Sequence, residues 1–219
     1  MVKDCEGVPY PVYSVGEVIC CSRVKGAVPA GSVFELKISI GISRENPPQL
    51  ETSAAEPVAG QFYMLHAVHS NVLLGRPISV FLSKKMDDGS VELSFLILVK
   101  GTGTAELCEL RSGDKINLLG PCGNRFPLPT SVNCSKSLRF SCSKVLIIGG
   151  GIGVAPVAGF ASTLPEKSYD FYASFKSGSY ALENLKADKL VITTDDGSVG
   201  IKGMLPAALT ELVLREGKY

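Results

Sequence analysis

The sequence predicts a two-domain protein, an antiparallel β-barrel over residues 8–139 followed by a parallel α/β domain over 140–219. Three observations carry this reading. Short β-branched runs separated by turn-forming residues fill the first half of the chain. A compact apolar strand, Val145-Leu146-Ile147-Ile148, runs straight into Gly149-Gly150-Gly151-Ile152-Gly153. Beyond it, strand-like and helix-like segments alternate, which is the grammar of a parallel sheet covered by helices.

The expected elements follow in order. Strands are predicted at Val12–Cys20, Ser32–Ile40, Phe62–Ala67, Ile78–Leu82 and Val91–Val99, punctuated by Pro29-Ala30-Gly31 and Ala59-Gly60. Lys85-Met86-Asp87-Asp88-Gly89-Ser90 reads as a hairpin turn, with a glycine free to take positive φ. Ser43–Pro57 is polar and rich in Pro and Glu, a surface excursion between strands. A short helix is expected over Ala105–Leu110, then a strand over Lys115–Leu119. Asn133–Ser143 reads as a transition, with the domain boundary near 136–143. After the Val145–Ile148 strand come a helix over Ala155–Leu164, a strand over Asp170–Phe175 and a short helix over Tyr180–Leu185. A strand over Leu190–Thr194 and a helix over Ile201–Val213, with Pro206 in its first turn, complete the pattern.

Composition narrows the function classes. A chain of 219 residues, 45% hydrophobic and 20% charged, is long enough and apolar enough for two cores. Its 22 basic and 21 acidic side chains leave a net charge of +1, with no basic stripe or arginine-rich arm, so nucleic acid is not an expected partner. No apolar run approaches the roughly 20 residues that span a bilayer, so no membrane association is expected. The N-terminal stretch MVKDCEGVPYPVYSVGEV has no apolar core followed by a small-residue cleavage site. Together with seven cysteines, an odd number suited to free thiols, this leads us to expect a cytoplasmic protein. No metal site is assigned: Cys134 and Cys142 are too far apart for a CxxC knuckle, Cys20 and Cys21 are adjacent, and His66 and His69 fall on opposite faces of a strand.

Glycines at the end of a buried strand have a physical use. They allow a tight turn and remove the Cβ atoms that keep a phosphate from backbone N–H groups, while the following helix adds orphan donors and a positive dipole end. VLIIGGGIGVAPVAGF does not match GxGxxG in the usual register. Two readings therefore stand: nucleotide binding, or close packing of helix on strand without a ligand. Thr193-Thr194-Asp195-Asp196-Gly197-Ser198 follows the third α/β strand, where open sheets bind ligands, although a plain turn explains it equally well. Lys176 offers a cation for a phosphate or simply faces solvent. In the first domain, Arg76-Pro77-Ile78-Ser79 supplies a charged fork, a fixed turn, an apolar surface and a hydroxyl. A strand entry with one exposed arginine accounts for the same residues. Lys100-Gly101-Thr102-Gly103-Thr104, just before a helix, is a second possible phosphate cradle.

Taken together, these segments resemble the electron-transfer subunit of the two-subunit, NAD-linked dihydroorotate dehydrogenases, within the wider ferredoxin reductase-like family. The matching pieces run in order from Pro29-Ala30-Gly31 and Ala59-Gly60-Gln61-Phe62 through RPIS at Arg76–Ser79 and GTGT at Gly101–Thr104. They continue with LLGPCGNRF at Leu118–Phe126, GGGIGVAP at Gly149–Pro156 and TTDDGSVGIKG at Thr193–Gly203. The resemblance implies FAD on the barrel, with Arg76 at the pyrophosphate, Ser79 at the isoalloxazine edge, and Pro77 and Ile78 shaping the pocket. Leu96, Ile97 and Leu98 would line another part of that site, and Gly103 and Thr104 would meet its phosphate side. Gly149, Gly150, Gly151, Ile152, Gly153 and Pro156 would form the floor for NAD, with Thr194, Asp195, Asp196 and Gly197 near the nicotinamide. No protein residue is assigned a catalytic role, because the cofactors carry the redox chemistry.

The implied partner is an FMN-containing dihydroorotate dehydrogenase catalytic subunit in a hetero-oligomer, a heterotetramer in the family, serving pyrimidine biosynthesis. Electrons would pass between the subunits through a [2Fe–2S] cluster. The resemblance leads one to expect, beyond Lys218-Tyr219, a further strand, a Cys-Gly-Pro segment and a cysteine-rich cluster-binding tail, so the α/β domain reads as partial. Subunits of other NAD(P)H-dependent flavin reductases, or a non-catalytic FAD- or partner-binding module, are the alternative readings.

Overall fold

A computed structural model describes residues 11–29, 32–41, 56–127, 144–211 and 214. The excursion expected over Ser43–Pro57, apart from its last two residues, and the transition Asn133–Ser143 with its boundary at 136–143 lie outside the described residues. The chain divides into two compact units, residues 1–23 with 32–125 and residues 24–31 with 126–219.

The first unit is a closed six-stranded barrel. Its strands are β1 (Val12–Arg23), β2 (Val33–Ile40), β3 (Phe62–Ala67), β4 (Arg76–Lys85), β5 (Val91–Leu98) and β6 (Lys115–Cys122). They pair in the order β1-β2-β5-β4-β3-β6, every pair antiparallel, and β6 returns to β1. Alternate residues of each strand fill the interior, as the two-residue period of a pleated strand requires. Leu36, Ile38, Leu93, Phe95, Ile116 and Leu118 are all fully buried there. Tyr63 meets Phe95 edge to face, with ring centroids 6.0 Å apart. Closure leaves no free sheet edge. A helix, α1 (Thr102–Glu109), packs against β1, β2, β3 and β5 and sends Leu107 into the barrel core.

That helix begins three residues before the expected Ala105. The Thr104 hydroxyl accepts the N–H groups of Lys100 (2.9 Å) and Gly101 (3.1 Å), while the Gly101 carbonyl accepts the N–H groups of Thr104 and Ala105. A threonine three residues into the helix thus caps it, and Thr-Gly-Thr, poor in helix propensity, becomes its first turn.

The second unit holds a four-stranded parallel sheet in the order β10-β9-β8-β7. Its elements are β7 (Val145–Gly150), a 3₁₀ turn (Gly151–Gly153), α2 (Val154–Ala161), β8 (Tyr169–Phe175), β9 (Lys189–Thr194) and β10 (Ile201–Lys202). Interior strand β8 is sealed along most of its length, with Phe171, Tyr172 and Ala173 fully buried. Near the strand starts, Lys144 lies 2.6 Å from Asp170 and also pairs with Asp188, and both carboxylates raise the lysine pKa. Residues 24–31 join this unit through the bridge between Ala27 and Gly178.

Two expected helices are corrected by the structure. Tyr180–Leu185 forms no helix: Ala181 takes φ of 62°, and Tyr180 turns inward to stack on Phe175 at 4.9 Å. Of Ile201–Val213, Ile201 and Lys202 instead extend the sheet by pairing with Thr193 and Thr194, whereas Glu211 near its end is helical as expected. A 3₁₀ turn over Leu205–Ala207 follows, with Pro206 in it, as a residue lacking an N–H is tolerated at a helix start.

Candidate functional site

The barrel unit presents a cavity of about 440 Å³ lined by Val72, Arg76, Lys100 and the run Gly101–Thr104. Arg76 opens β4 opposite Leu65, a fully buried residue of β3, so its side chain leaves on the inner face. The Nε of Arg76 is buried and has no hydrogen-bond partner. An unpaired guanidinium donor in such a place is costly, and an anion satisfies it. A Cβ on Gly103 would fall 2.4 Å from that same Nε, so only glycine lets the guanidinium lie against the first turn of α1. As the first groups of a helix, the N–H groups of Thr102 and Gly103 have no intrahelical acceptor.

Glu106 fixes this arrangement from the other side. Its carboxylate accepts the Ser70 hydroxyl and the Asn71 N–H, tying α1 to the loop before β4. The ring nitrogen of His66 lies 2.7 Å from the Val72 carbonyl and braces the same loop. Val72, a cavity-lining residue, and Glu106, which holds the helix in place, carry no sequence pattern that marks them.

The remaining barrel candidates divide between two faces. Ile78 points inward and packs on the barrel core, and Ile97 is fully buried within it. Pro77, Ser79, Leu96 and Leu98 alternate with them and face outward from the neighbouring strands β4 and β5. The structure therefore joins Arg76 to Gly103 and Thr104, and sets Pro77, Ser79 and Leu98 apart as an outer surface, with Leu96 buried behind them.

In the second unit the glycines have separate duties. A Cβ on Gly149 would come within 2.8 Å of Val157 and 3.1 Å of the Val154 Cα, so this glycine lets α2 lie close on β7. Gly151 has φ of 52°, and a Cβ on it or on Gly153 would meet nothing within 4 Å. The glycines thus differ in place: Gly149 packs, and Gly151 and Gly153 stand open at the N-terminus of α2. Ile152 lies between the two open glycines, half-buried, while Gly150 is exposed at the strand end. Pro156 occupies the first turn of α2, where no N–H is needed.

The loop after β9 is stiffly made. Thr194 is fully buried and committed to it, donating to the Val199 carbonyl (2.8 Å) and accepting the Val199 N–H (3.2 Å). Asp195, Asp196 and Gly197 are exposed beyond it. The Asp196 carboxylate accepts the Ser198 N–H (2.9 Å) and hydroxyl (2.7 Å), and the Ser198 hydroxyl accepts the Gly178 N–H (2.9 Å). Hydrogen bonds from Ser177 and Ser198 bring the Asp196 pKa down to about 2. Ser177, from the loop after β8, is a partner that the sequence did not single out. Lys176 lies exposed beside it.

No family model matches this sequence. It is 40% identical over 146 residues to the dihydroorotate dehydrogenase B (NAD(+)) electron transfer subunit of Clostridium acetobutylicum, covering 66% of this chain and 53% of that protein. It is 35% identical over 163 residues to the subunit of the same name from Streptococcus mutans, covering 72% and 59%. The chain thus spans a little over half the length of these curated relatives. Among solved structures, it superposes on the ferredoxin reductase in carbazole 1,9a-dioxygenase with a TM-score of 0.64 at 20% identity, over 94% of this chain and 60% of that one. The chain has the fold of this ferredoxin reductase. A ferredoxin NADP+ reductase from Neisseria gonorrhoeae with bound FAD and NADP matches this fold as well, with a TM-score of 0.56 at 17% identity, over 94% and 77%.

The barrel fits a phosphate or pyrophosphate group by its own residues: a buried orphan donor on Arg76, a glycine whose Cβ would collide with that donor, and a helix start. Among the described residues no group of three or more His, Cys, Asp or Glu side chains could hold a metal ion, so no cluster ligand is assigned. No helix among them is long and apolar enough to cross a membrane.

Proposed function

We propose that this chain is an FAD-binding, NAD-linked electron-transfer module that works with a dihydroorotate-oxidising, FMN-containing catalytic subunit in the cytoplasm. The observation that carries the FAD assignment is the Arg76–Gly103 cradle. The buried Arg76 Nε is explained by an anion in the cavity that the guanidinium and the first turn of α1 line together. The dihydroorotate and NAD parts of the reading draw on the 40% identity to the Clostridium acetobutylicum subunit.

When bound, FAD supplies hydride exchange with a nicotinamide and one-electron transfer onward, chemistry that needs no protein nucleophile. The chain's own residues bind and orient. Arg76 donates N–H groups to the pyrophosphate, helped by the N–H groups of Thr102 and Gly103. Pro77 and Leu98 offer the outer barrel surface to the flavin ring and exclude water from it, backed by the buried Leu96, and the Ser79 hydroxyl meets its polar edge. The open glycines Gly151 and Gly153 admit nucleotide phosphates to the N–H groups that begin α2. The loop Thr194–Gly197, held by Ser177 and Ser198, orients the nicotinamide end without having to be ordered on binding.

The test is the visible absorption spectrum of the FAD-loaded protein during anaerobic addition of NADH. Flavin bands that bleach support the reading. Bands that persist sink the hydride-transfer part, and a folded protein that retains no FAD sinks the whole. Orotate production on mixing with the catalytic subunit, dihydroorotate and NAD tests the finer assignment.

A further inference from the structure

Two cysteines that the flavin chemistry does not use meet inside the barrel unit. The register of β1 against β2 shifts between Val18 and Cys20, a β-bulge at Ile19. Without it, alternation would send Cys20 to the same face as the buried Val18. With it, Cys21 stands opposite the fully buried Leu36 and turns inward, where it packs on the barrel core. Cys108, in the last turn of α1 and next to the buried Leu107, packs on the same core. The Cys21 thiol donates to the Cys108 carbonyl at 3.5 Å. Both residues are free thiols and half-buried, so each keeps a path to solvent.

We propose that Cys21 and Cys108 are a thiol pair that forms a reversible disulfide, with a low-molecular-weight disulfide of the glutathione type as oxidant. Their chemistry is asymmetric. The Cys108 side chain favours the Cys21 thiolate and lowers its pKa against the opposing effect of burial. The same interaction raises the Cys108 pKa, and burial adds to it. Cys21 is therefore the attacking thiolate. It displaces one thiolate from the oxidant and becomes a mixed disulfide. Cys108 then loses its proton, attacks the Cys21 sulfur and expels the second thiolate. The protein loses two electrons and two protons, and the oxidant becomes two thiols. A pair separated by 87 positions in sequence is joined, fastening the last turn of α1 to β1.

The test uses the full chain, folded, treated with oxidised glutathione and mapped by mass spectrometry without reduction. Cys5, Cys20 and Cys21 share the tryptic peptide Asp4–Arg23, and Cys108 falls in Gly101–Arg111. A Cys5→Ser, Cys20→Ser background therefore isolates the pair. The expected result is a Cys21–Cys108 crosslink that forms under native conditions and is removed by dithiothreitol. In that background Cys108→Ser should accumulate glutathione on Cys21, whereas Cys21→Ser should leave Cys108 a thiol. A crosslink that forms only in urea overturns the proposal, as does a native protein in which both thiols survive while other cysteines oxidise. Glutathione accumulating on Cys108 in the Cys21→Ser variant overturns the assigned direction of attack.

Discussion

Gly103 stands so close to Arg76 that a Cβ carbon on it would fall 2.4 Å from the Arg76 Nε, 3.1 Å from Cζ and 3.2 Å from Nη2. The charged fork of β4 and the first turn of α1 are thus one structure, made possible by a missing methyl group. Gly103→Ala should separate binding from stability. Alanine is favoured over glycine within a helix by about 1 kcal/mol, which offsets part of the steric cost, but the guanidinium has to move. FAD affinity should fall by roughly tenfold, about 1.4 kcal/mol, in a fluorescence titration. Gly41→Ala is the control, since Gly41 lies outside the cavity and a Cβ there would meet nothing within 4 Å. An equal loss in both variants would detach Arg76 from the cofactor.

Arg76 itself can be tested by charge against shape. Arg76→Lys keeps the positive charge but replaces a planar fork with a point charge. If the guanidinium grips a pyrophosphate through two donors, Lys should restore little of the FAD retention lost in Arg76→Ala, a loss of about 10- to 100-fold for a charge-assisted pair. Full rescue by lysine, measured as flavin content after gel filtration, would reduce the role of Arg76 to charge alone.

The glycines of the second unit make opposite predictions. Gly149→Ala places a carbon 2.8 Å from Val157 and 3.1 Å from the Val154 backbone, so α2 has to lift from β7. Overpacking of this kind costs about 1–3 kcal/mol, and thermal unfolding should shift down accordingly. Gly153→Ala meets nothing within 4 Å and sits at φ of −64°, a conformation open to any residue. Its melting temperature should hold while NADH affinity falls. A Gly153→Ala protein that binds NADH normally would leave this cluster a packing device only.

Much of the barrel was legible because its strands obey a two-residue period between recognisable turns, and the Val145–Gly153 junction because an apolar run and a glycine cluster abut. What escaped was decided by partners distant in sequence. Ile201 and Lys202 are apolar and charged enough for a helix face, yet the open edge of β9 takes them as a strand. Tyr180 left its expected helix for the ring of Phe175. From the residues alone Arg76 read more readily as a solvent-facing arginine; only folding brings it beneath a helix 26 positions away, by the difference between residues 102 and 76. Ser177 reached the Asp196 loop in the same way, across two strands.

Asp196 gives a pH prediction. Hydrogen bonds from Ser177 and Ser198 bring its pKa from an ordinary 3.8 to about 2 in the folded chain. A depressed carboxylate pKa means stabilisation that is complete above the unfolded value and is lost as pH falls through the folded one. The loop should therefore hold at pH 5 and loosen between about pH 4 and pH 2. NMR titration of the Asp196 carboxyl should show a midpoint near 2, rising toward 3.8 in Ser198→Ala. A midpoint unmoved by that substitution would remove the serine from the account.

Gln61 carries the last prediction, and it concerns the barrel that holds the cradle. Its amide is fully buried, accepts the Val58 N–H at 2.9 Å and donates to the Gly123 carbonyl at 3.1 Å, joining the approach to β3 with the exit from β6. Gln61→Ala strands both partners and should cost about 1–3 kcal/mol at any pH. Gln61→Glu is more informative. An ionised carboxylate still accepts from Val58 but turns an acceptor toward the Gly123 carbonyl, whereas a protonated one regains a donor. Burial and that carbonyl should raise the glutamate pKa above its unfolded value of about 4.3, so the folded chain takes up a proton and gains stability as pH falls through the raised pKa. Melting temperatures measured from pH 7 to pH 5 should show the Glu variant closing on the wild type while the Ala variant keeps its distance. If the two variants instead track each other, the donor bond to Gly123 contributes nothing, and only the bond to Val58 holds the strand ends together.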